Sequence, residues 1–419
     1  MTSLLAERPT PIVVQRLTWL LFFGQSLGSA GLTAGFTVST IVGAQLSGQA
    51  ALAGVPSAAY LLGNALGAYP AARWMERAGR RPGLTFGFAL GVVGAVIAGM
   101  MIVLQSFVGF LTGFTLMGLA RGFTDLARYA AADMHAATER GRAISLVVLG
   151  GTVGAVLGPA LVKISEPFIA NEPLAGAWFV SAALFVIAML AVGVFLRPDP
   201  RDLGRELVSE HREAAITDAS LRPLRDILRQ PGMLVALSAM VLGQLVMVML
   251  MGITSLHMKH HGHELGDVSL VIMAHTLGMF GLSMVSGRLA DRLGRAPTIM
   301  LGGGLLIIAC VFARVSQNTA VLAAALFLLG LGWNLCYVAG GALLTDTLTV
   351  AERGRLQGGT DLLIGLVSAL GSLVSGAIFA ALGYTVISGI SLIVTLIPLL
   401  MALRFNQSRL LAQVAETSS

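Results

Sequence analysis

Gly287-Arg288-Leu289-Ala290-Asp291-Arg292-Leu293-Gly294-Arg295-Ala296-Pro297 sits between two long apolar runs and packs charges and glycines into a short hinge. A second copy, Ala72-Arg73-Trp74-Met75-Glu76-Arg77-Ala78-Gly79-Arg80-Arg81-Pro82, lies 215 positions earlier. Both read acid-Arg-x-Gly-Arg-x-Pro, and both follow a Leu-Gly pair at matching depth, Leu62-Gly63 and Leu277-Gly278. Two copies of one hinge imply two copies of the unit around it.

Composition says what that unit is. The chain is 56% hydrophobic and only 11% charged, with a mean hydropathy of +0.83. A soluble protein carries roughly 25% charged residues. Here the charges cluster between apolar stretches, as in a membrane protein. The 51 glycines suit close packing of transmembrane helices. Cys310 and Cys336 both lie within apolar runs, so neither a disulfide framework nor a cysteine metal site is expected. The net charge of +6 sits in alternating loops, which points to topology and not to nucleic acid. The first apolar run, about Leu17 to Leu46, is too long for a cleaved signal and reads as a span.

Twelve spans follow, each near the roughly 20 residues a bilayer core requires. They are Leu17–Ile41, Ala53–Arg73, Leu84–Leu104, Phe107–Ala131, Ala143–Ile164, Gly176–Leu196, Met233–Leu256, Val268–Gly287, Thr298–Val315, Ala320–Leu344, Leu356–Leu382 and Val386–Leu403. Alternate loops hold Arg8, Arg16, the hinge arginines, Arg140, Arg142, Arg353, Arg355, Arg404 and Arg409; the opposite loops hold Lys163, Lys259 and Arg314. Positive loops stay cytoplasmic, so both termini are expected inside a plasma membrane. Residues 198–231 (Arg205, Glu206, Glu210, His211, Arg212, Glu213) read as a linker. Its end, Leu221 to Leu228, reads as an amphipathic helix on the inner surface. The tail after Arg404 reads as loose.

The repeat extends beyond the hinge. Gly24-Gln25 matches Gly243-Gln244, and Asp133 with Glu139-Arg140-Gly141-Arg142 matches Asp346 with Glu352-Arg353-Gly354-Arg355. Features run in the same order in both halves, which describes parallel six-span repeats with a cavity between them. The expected fold is all-α, twelve transmembrane helices in two six-helix bundles: 1–197, a linker 198–231, 232–404, and a tail 405–419.

The hinges resemble the loop motif of the major facilitator superfamily, Gly-x-x-x-Asp-Arg-x-Gly-Arg-Arg. The second copy lacks only the last Arg, at Ala296; the first has Ala72 for Gly and Glu76 for Asp. The resemblance implies secondary active transport by alternating access, with Glu76, Arg77, Gly79, Arg80, Gly287, Asp291, Arg292, Gly294 and Arg295 as gating residues. In one conformation Glu76 would meet the N-terminus of span 11, where helix dipole charge is positive. The bland reading is that these arginines only anchor topology. Gly150-x-x-x-Gly154-x-x-x-Gly158-Pro159 in span 5 is similar to the signature of the superfamily's drug/proton antiporters, without its final Gly-Gly. Plain helix packing needs the same glycines.

Ionisable groups within spans are functional candidates. Span 4 holds Arg121, Asp125 and Arg128, with Asp125 spaced to pair with either arginine on one helix face. Asp361 in span 11 is expected in the inner charge network. His275 in span 8, whose repeat partner is Tyr60, is a proton-exchange candidate or a packing residue. Gln25, Asn64, Gln244, Trp333, Asn334 and Tyr337 are candidates for a cavity wall or for interhelical hydrogen bonds. The loop His257-Met258-Lys259-His260-His261-Gly262-His263-Glu264 is a weak metal candidate or an exposed turn.

The first reading is proton-coupled efflux of small lipophilic or amphipathic compounds. An uptake symporter for a nutrient, metabolite or metal complex is the second, and a non-transporting receptor or scaffold the third. With no nucleophile–base pair in a span, no enzyme and no cofactor are expected. The expected partners are a small-molecule substrate, protons and the lipid bilayer, around a monomer.

Overall fold

A backbone crossing lipid must satisfy its own N–H and C=O groups, so long apolar runs fold into helices. The computed structural model describes residues 11–135, 139–169, 172–209 and 222–417. Arg8 and the linker residues Glu210, His211, Arg212, Glu213 and Leu221 lie outside the described residues. The helices are α1 (Pro11–Ser47), α2 (Val55–Ala78), α3 (Arg80–Val103), α4 (Phe107–Thr124), α5 (Ala127–Asp133), α6 (Arg140–Ser165), α7 (Pro173–Phe195) and α8 (Pro200–Ser209). They continue as α9 (Leu224–Leu228), α10 (Pro231–His260), α11 (Leu265–Phe280), α12 (Ser283–Arg292), α13 (Arg295–Val315), α14 (Thr319–Asp346), α15 (Val350–Leu382) and α16 (Tyr384–Thr417). Twelve spans among the described residues are long and apolar enough to cross a membrane. Two are broken: α4 and α5 form one span, α11 and α12 another.

Each half has its own core. One runs from Leu17 to Leu203, the other from Ile227 to Ala402. Two residues cross over: Ala53 joins the second core and Leu265 the first. They are 212 positions apart, hence repeat-equivalent, and both sit where a span begins at the arginine-poor end. There the halves touch. Gly54 and Ala51 meet α15 so closely that Ser372 Oγ donates to Gly54 O at 2.9 Å. On the symmetric contact, a Cβ on Gly266 would lie 3.1 Å from Lys163. At the arginine-rich end a Cβ on Gly287 or Gly359 would meet nothing within 4 Å. The contacts between the halves described here gather at the arginine-poor end.

The hinges are tighter than the short loop expected from their charges. Helix α2 runs to Ala78, one residue intervenes, and α3 starts at Arg80. That residue, Gly79, has φ +113°, and its counterpart Gly294 has φ +94°. Only glycine adopts these angles without strain, so helix runs up to the glycine on one side. Glu76 and Asp291 therefore ride on last helical turns. Two further expectations are corrected. Helix α16 continues past Arg404 to Thr417 where a loose tail was expected, because the segment contains no Gly or Pro to stop it. The amphipathic linker helix is only Leu224–Leu228, and its Ile227 is buried in the second core instead of lying on a membrane surface.

Candidate transport site and its gates

Span 4 breaks at Asp125-Leu126, and the break carries the central charges. Arg121 Nε lies 2.7 Å from Asp125 Oδ1 and 2.8 Å from Oδ2. Both side chains are about a third exposed, 31% and 30%. From α1, Gln25 Nε2 donates to Asp125 Oδ1 at 3.4 Å. Tyr60 of α2 packs its ring on Phe36 and Phe114, at 5.6 and 5.0 Å between centroids, and lies in the field of Arg121 and Asp125. Of the two pairings open to Asp125, the structure forms the one with Arg121. Arg128 instead lies with its guanidinium 4.9 Å from the Tyr129 ring centroid, within electrostatic reach of Asp361 of α15.

The second half uses its polar groups differently. Span 8 breaks at Gly281-Leu282. Asn334 Nδ2 donates to the freed Met279 O at 2.7 Å and to Ser283 Oγ at 3.0 Å. Asn334, the repeat partner of Arg121, thus mends a broken helix. His275 is fully buried on the α11–α14 contact, with Nδ1 2.9 Å from Leu326 O. It shares no contact with the Arg121–Asp125 pair. Gln244 Oε1 accepts from Trp333 Nε1 at 2.7 Å. Asn64 lends its backbone to the α2–α4 contact at Gly118 and Gly122. Gly150, Gly154 and Gly158 pack against the carbonyls of Phe22, Ser26 and Ala30 on α1; Pro159 lies inside α6.

The hinges are held by acids that the repeat already placed in register. Arg80 Nε donates to Asp133 Oδ2 at 2.8 Å. Arg295 Nε donates to Asp346 Oδ2 at 3.1 Å, and Arg295 Nη1 to Asp291 Oδ1 at 2.6 Å. Both acids end the span beside the hinge, so the shared offset was the signal for their role. Asp199 was not foreseen. Its Oδ1 and Oδ2 accept from the backbone N–H of Arg80 and Arg81, both at 3.0 Å, and cap α3. Arg201 Nη1 donates to Arg77 O at 2.6 Å. Pro198–Arg201 therefore straps the first hinge from behind. The Glu76 side chain is exposed and, among the described residues, makes no hydrogen bond or ion pair with span 11; Gly287 and Arg292 likewise face open surroundings.

The linker is tied at its far end. Arg222 donates to Glu352 through Nε at 2.8 Å and Nη2 at 2.7 Å, and Thr349 N donates to Glu352 Oε2 at 2.9 Å. These bonds hold the Glu352 carboxyl well below the usual carboxylate range, the Arg222 guanidinium being the largest cause. The pattern Thr349-x-x-Glu352 is a capping box, legible in sequence though not singled out there.

Of the four loop histidines, His257 and His261 stay ring to ring at 4.4 Å, and the other two take separate partners. His257 stacks on Tyr384 at 4.2 Å, and Tyr384 shares a 2.8 Å hydrogen bond with Thr254. His261 Nδ1 lies 2.9 Å from His257 O. His260 faces Phe379, and His263 Nδ1 lies 3.2 Å from Thr319 Oγ1. Among the described residues no three His, Cys, Asp or Glu side chains come together as a metal site.

Comparison with known proteins agrees with this architecture. The sequence model of the Major Facilitator Superfamily matches residues 18–264 and 240–417. The uncharacterized MFS-type transporter YdeG of Bacillus subtilis is 36% identical over 388 residues, 91% of this chain and 90% of that protein. The riboflavin transporter RfnT of Brucella anthropi is 31% identical over 388 residues, 92% of this chain and 95% of that one. The multidrug resistance protein MdtL of Escherichia coli is 35% identical over 112 residues, 26% of this chain and 29% of that one. With twelve spans, paired hinges and a family match in both halves, the chain belongs to the Major Facilitator Superfamily of transporters.

Proposed function

We propose that this transporter works by alternating access, draws on the proton gradient, and carries a small, mostly uncharged compound. The observation that carries the reading is the Arg121–Asp125–Gln25 cluster at the break in span 4. A carboxylate within a span is the group placed to carry a proton across it. Asp125 is thus the coupling group, and His275, held in packing, is not. The arginine-rich end is taken as cytoplasmic, so the contacts of Gly54 with Ser372 and of Gly266 with Lys163 lie on the outer side. Arg80–Asp133 and Arg295–Asp291–Asp346 hold the hinge geometry on which the halves 1–197 and 232–404 rock. Glu76 and Asp361 close the inner mouth in the opposite state.

For direction, the first reading is export of small lipophilic or amphipathic compounds in exchange for protons. The span 5 glycines and the partial match to the multidrug protein support it. Uptake of a nutrient is the second reading, and one observation favours it: the match to the riboflavin transporter spans 92% of the chain, the multidrug match 26%. Vesicles of both orientations separate the two. Accumulation in everted vesicles under an inside-acid gradient supports export; accumulation in right-side-out vesicles under an outside-acid gradient supports uptake. Gradient-driven flux in neither removes the transport mechanism and leaves a receptor or scaffold.

A further inference from the structure

A cavity of about 610 Å³ lies at the arginine-poor end, where the contacts between the halves gather. It sits between the ends of α1, α6 and α10 and the starts of α7 and α11. Its size suits a small organic molecule. Both halves build it. Ile41 and Leu174 of the first half and Leu256 and Leu265 of the second give it an apolar lining, and each is less than a tenth exposed. Leu265 packs into the first core, so this lining is continuous across the halves.

The charged groups of the cavity come with opposite signs from opposite halves. Glu166 follows α6 on the first half; Lys259 and His260 end α10 on the second. Among the described residues, the Glu166 carboxylate and the Lys259 ammonium form no hydrogen bond or ion pair, with each other or with any other group. The His260 ring lies 5.5 Å from the Phe379 ring, centroid to centroid. Gln45 adds an amide. An acid and a base that line one cavity without meeting leave space for a molecule that meets both. An anion alone would face Glu166, and a cation alone would face Lys259. A zwitterion satisfies both through charge-assisted hydrogen bonds, and the buried Ile41 and leucines receive its apolar part.

We propose that this cavity binds a small zwitterion with apolar side chains, its ammonium on Glu166 and its carboxylate on Lys259 and His260, and that the occupant holds the two halves together at this end. The site is separate from the Arg121–Asp125 pair, since α4 and α5 contribute no residue to its lining among the described residues. A ligand that touches both halves binds the conformation in which these walls meet and not the one in which they part, so it shifts the population toward the first. Occupation from the arginine-poor side is thus a brake on the cycle. The brake rests on the reading of the chain as an alternating-access carrier; the binding does not.

The test uses the full chain in lipid nanodiscs, with binding read by calorimetry. The probes are leucine, leucyl-leucine and leucyl-leucyl-leucine, which set three separations between ammonium and carboxylate. At least one is expected to bind, at least tenfold more tightly than its N-acetyl form, its C-terminal amide or its all-glycine counterpart. Glu166→Gln should shrink the preference over the N-acetyl form below threefold, and Lys259→Gln combined with His260→Gln the preference over the amide. Asp125→Asn should leave binding unchanged. Melting of each variant confirms folding, and Glu166→Gln, which keeps size and shape, serves if another variant fails. With Cys310 and Cys336 replaced by serine, Ser372→Cys places a thiol at a site 1% exposed on the contact between the halves. Maleimide reaches it when that contact parts, so the bound probe should slow labelling at least threefold, and not when Glu166→Gln is added. Binding by none of the three probes overturns the proposal, as does equal affinity for the blocked forms or a preference unchanged in Glu166→Gln. Binding lost in Asp125→Asn puts the probes at the break in span 4 and overturns it too. Binding with unchanged labelling overturns the brake. Proton-driven flux of a cargo with no probe bound would leave the transport mechanism standing while removing this site. Probe binding with no gradient-driven flux would do the reverse.

Discussion

Replacing Asp125 by asparagine keeps the shape of the break in span 4 and removes its negative charge. Arg121 Nε now meets both carboxylate oxygens, at 2.7 and 2.8 Å. A hydrogen bond to a charged group contributes about 1.5–3 kcal/mol, and a neutral one about 0.5–1.5. The substitution should therefore cost roughly 1–1.5 kcal/mol, trimmed by water because each side chain is about a third exposed. A double-mutant cycle of Arg121→Gln, Asp125→Asn and the double variant isolates the pair. Unfolding by denaturant in detergent should give a coupling energy of about 1 kcal/mol. Additivity within about 0.3 kcal/mol would show that the two side chains do not act as a unit. The same variant tests function. In proteoliposomes Asp125→Asn should lose at least tenfold of proton-driven accumulation yet retain exchange of labelled for unlabelled cargo, since exchange needs rocking but no proton. Undiminished accumulation would refute the coupling role of Asp125.

Gly154→Leu should lower the melting temperature, because its Cβ would fall on the Ser26 carbonyl of α1; an unchanged melt would contradict the packing described. Gly287→Ala has open space and should not destabilise the protein. If Gly287 is needed for closure, this variant should slow transport at an unchanged melting temperature. Asp199→Ala removes the acceptor of two backbone N–H groups at the start of α3 and should cost about 1 kcal/mol, which Asp199→Asn partly restores. The Glu352 carboxyl is depressed in the folded state, so its stabilising contribution is complete above the unfolded value of about 4.3 and is lost as pH falls through the folded value. Protection of the Thr349 amide in hydrogen exchange should thus be flat from pH 7 to about 5 and fall below that; loss already near pH 6 would contradict the Arg222 latch. With Cys310 and Cys336 replaced by serine, cysteines at Ala51 and Gly376 should cross-link and stop transport, reversibly with reductant, because that contact must part in the opposite state.

Asp133 and Asp346 show where sequence reading reached. Their repeat offset was visible, but the arginines they clamp lie 53 and 51 positions away, and nothing local announces the pairing. His275 and Asn334 show where it stopped. Both are polar residues in apolar spans, the pattern of a transport site, yet one is held by the Leu326 carbonyl and the other mends the break at Gly281-Leu282. Arg222 and Glu352 meet across 130 positions, a contact that fixes the far end of the linker and that composition does not announce.

What the sequence by itself determined was the number of spans, their doubling into two repeats, and which loops share an end. These follow from apolar length, charge placement and self-similarity, all of them properties of the chain read in a line. What only the tertiary structure decided was which polar groups face the opening and which are consumed in packing. It also decided which of two arginines holds Asp125, and at which end the halves touch. A buried polar group is satisfied by whatever partner folding brings within about 3 Å, and that partner usually comes from a different helix.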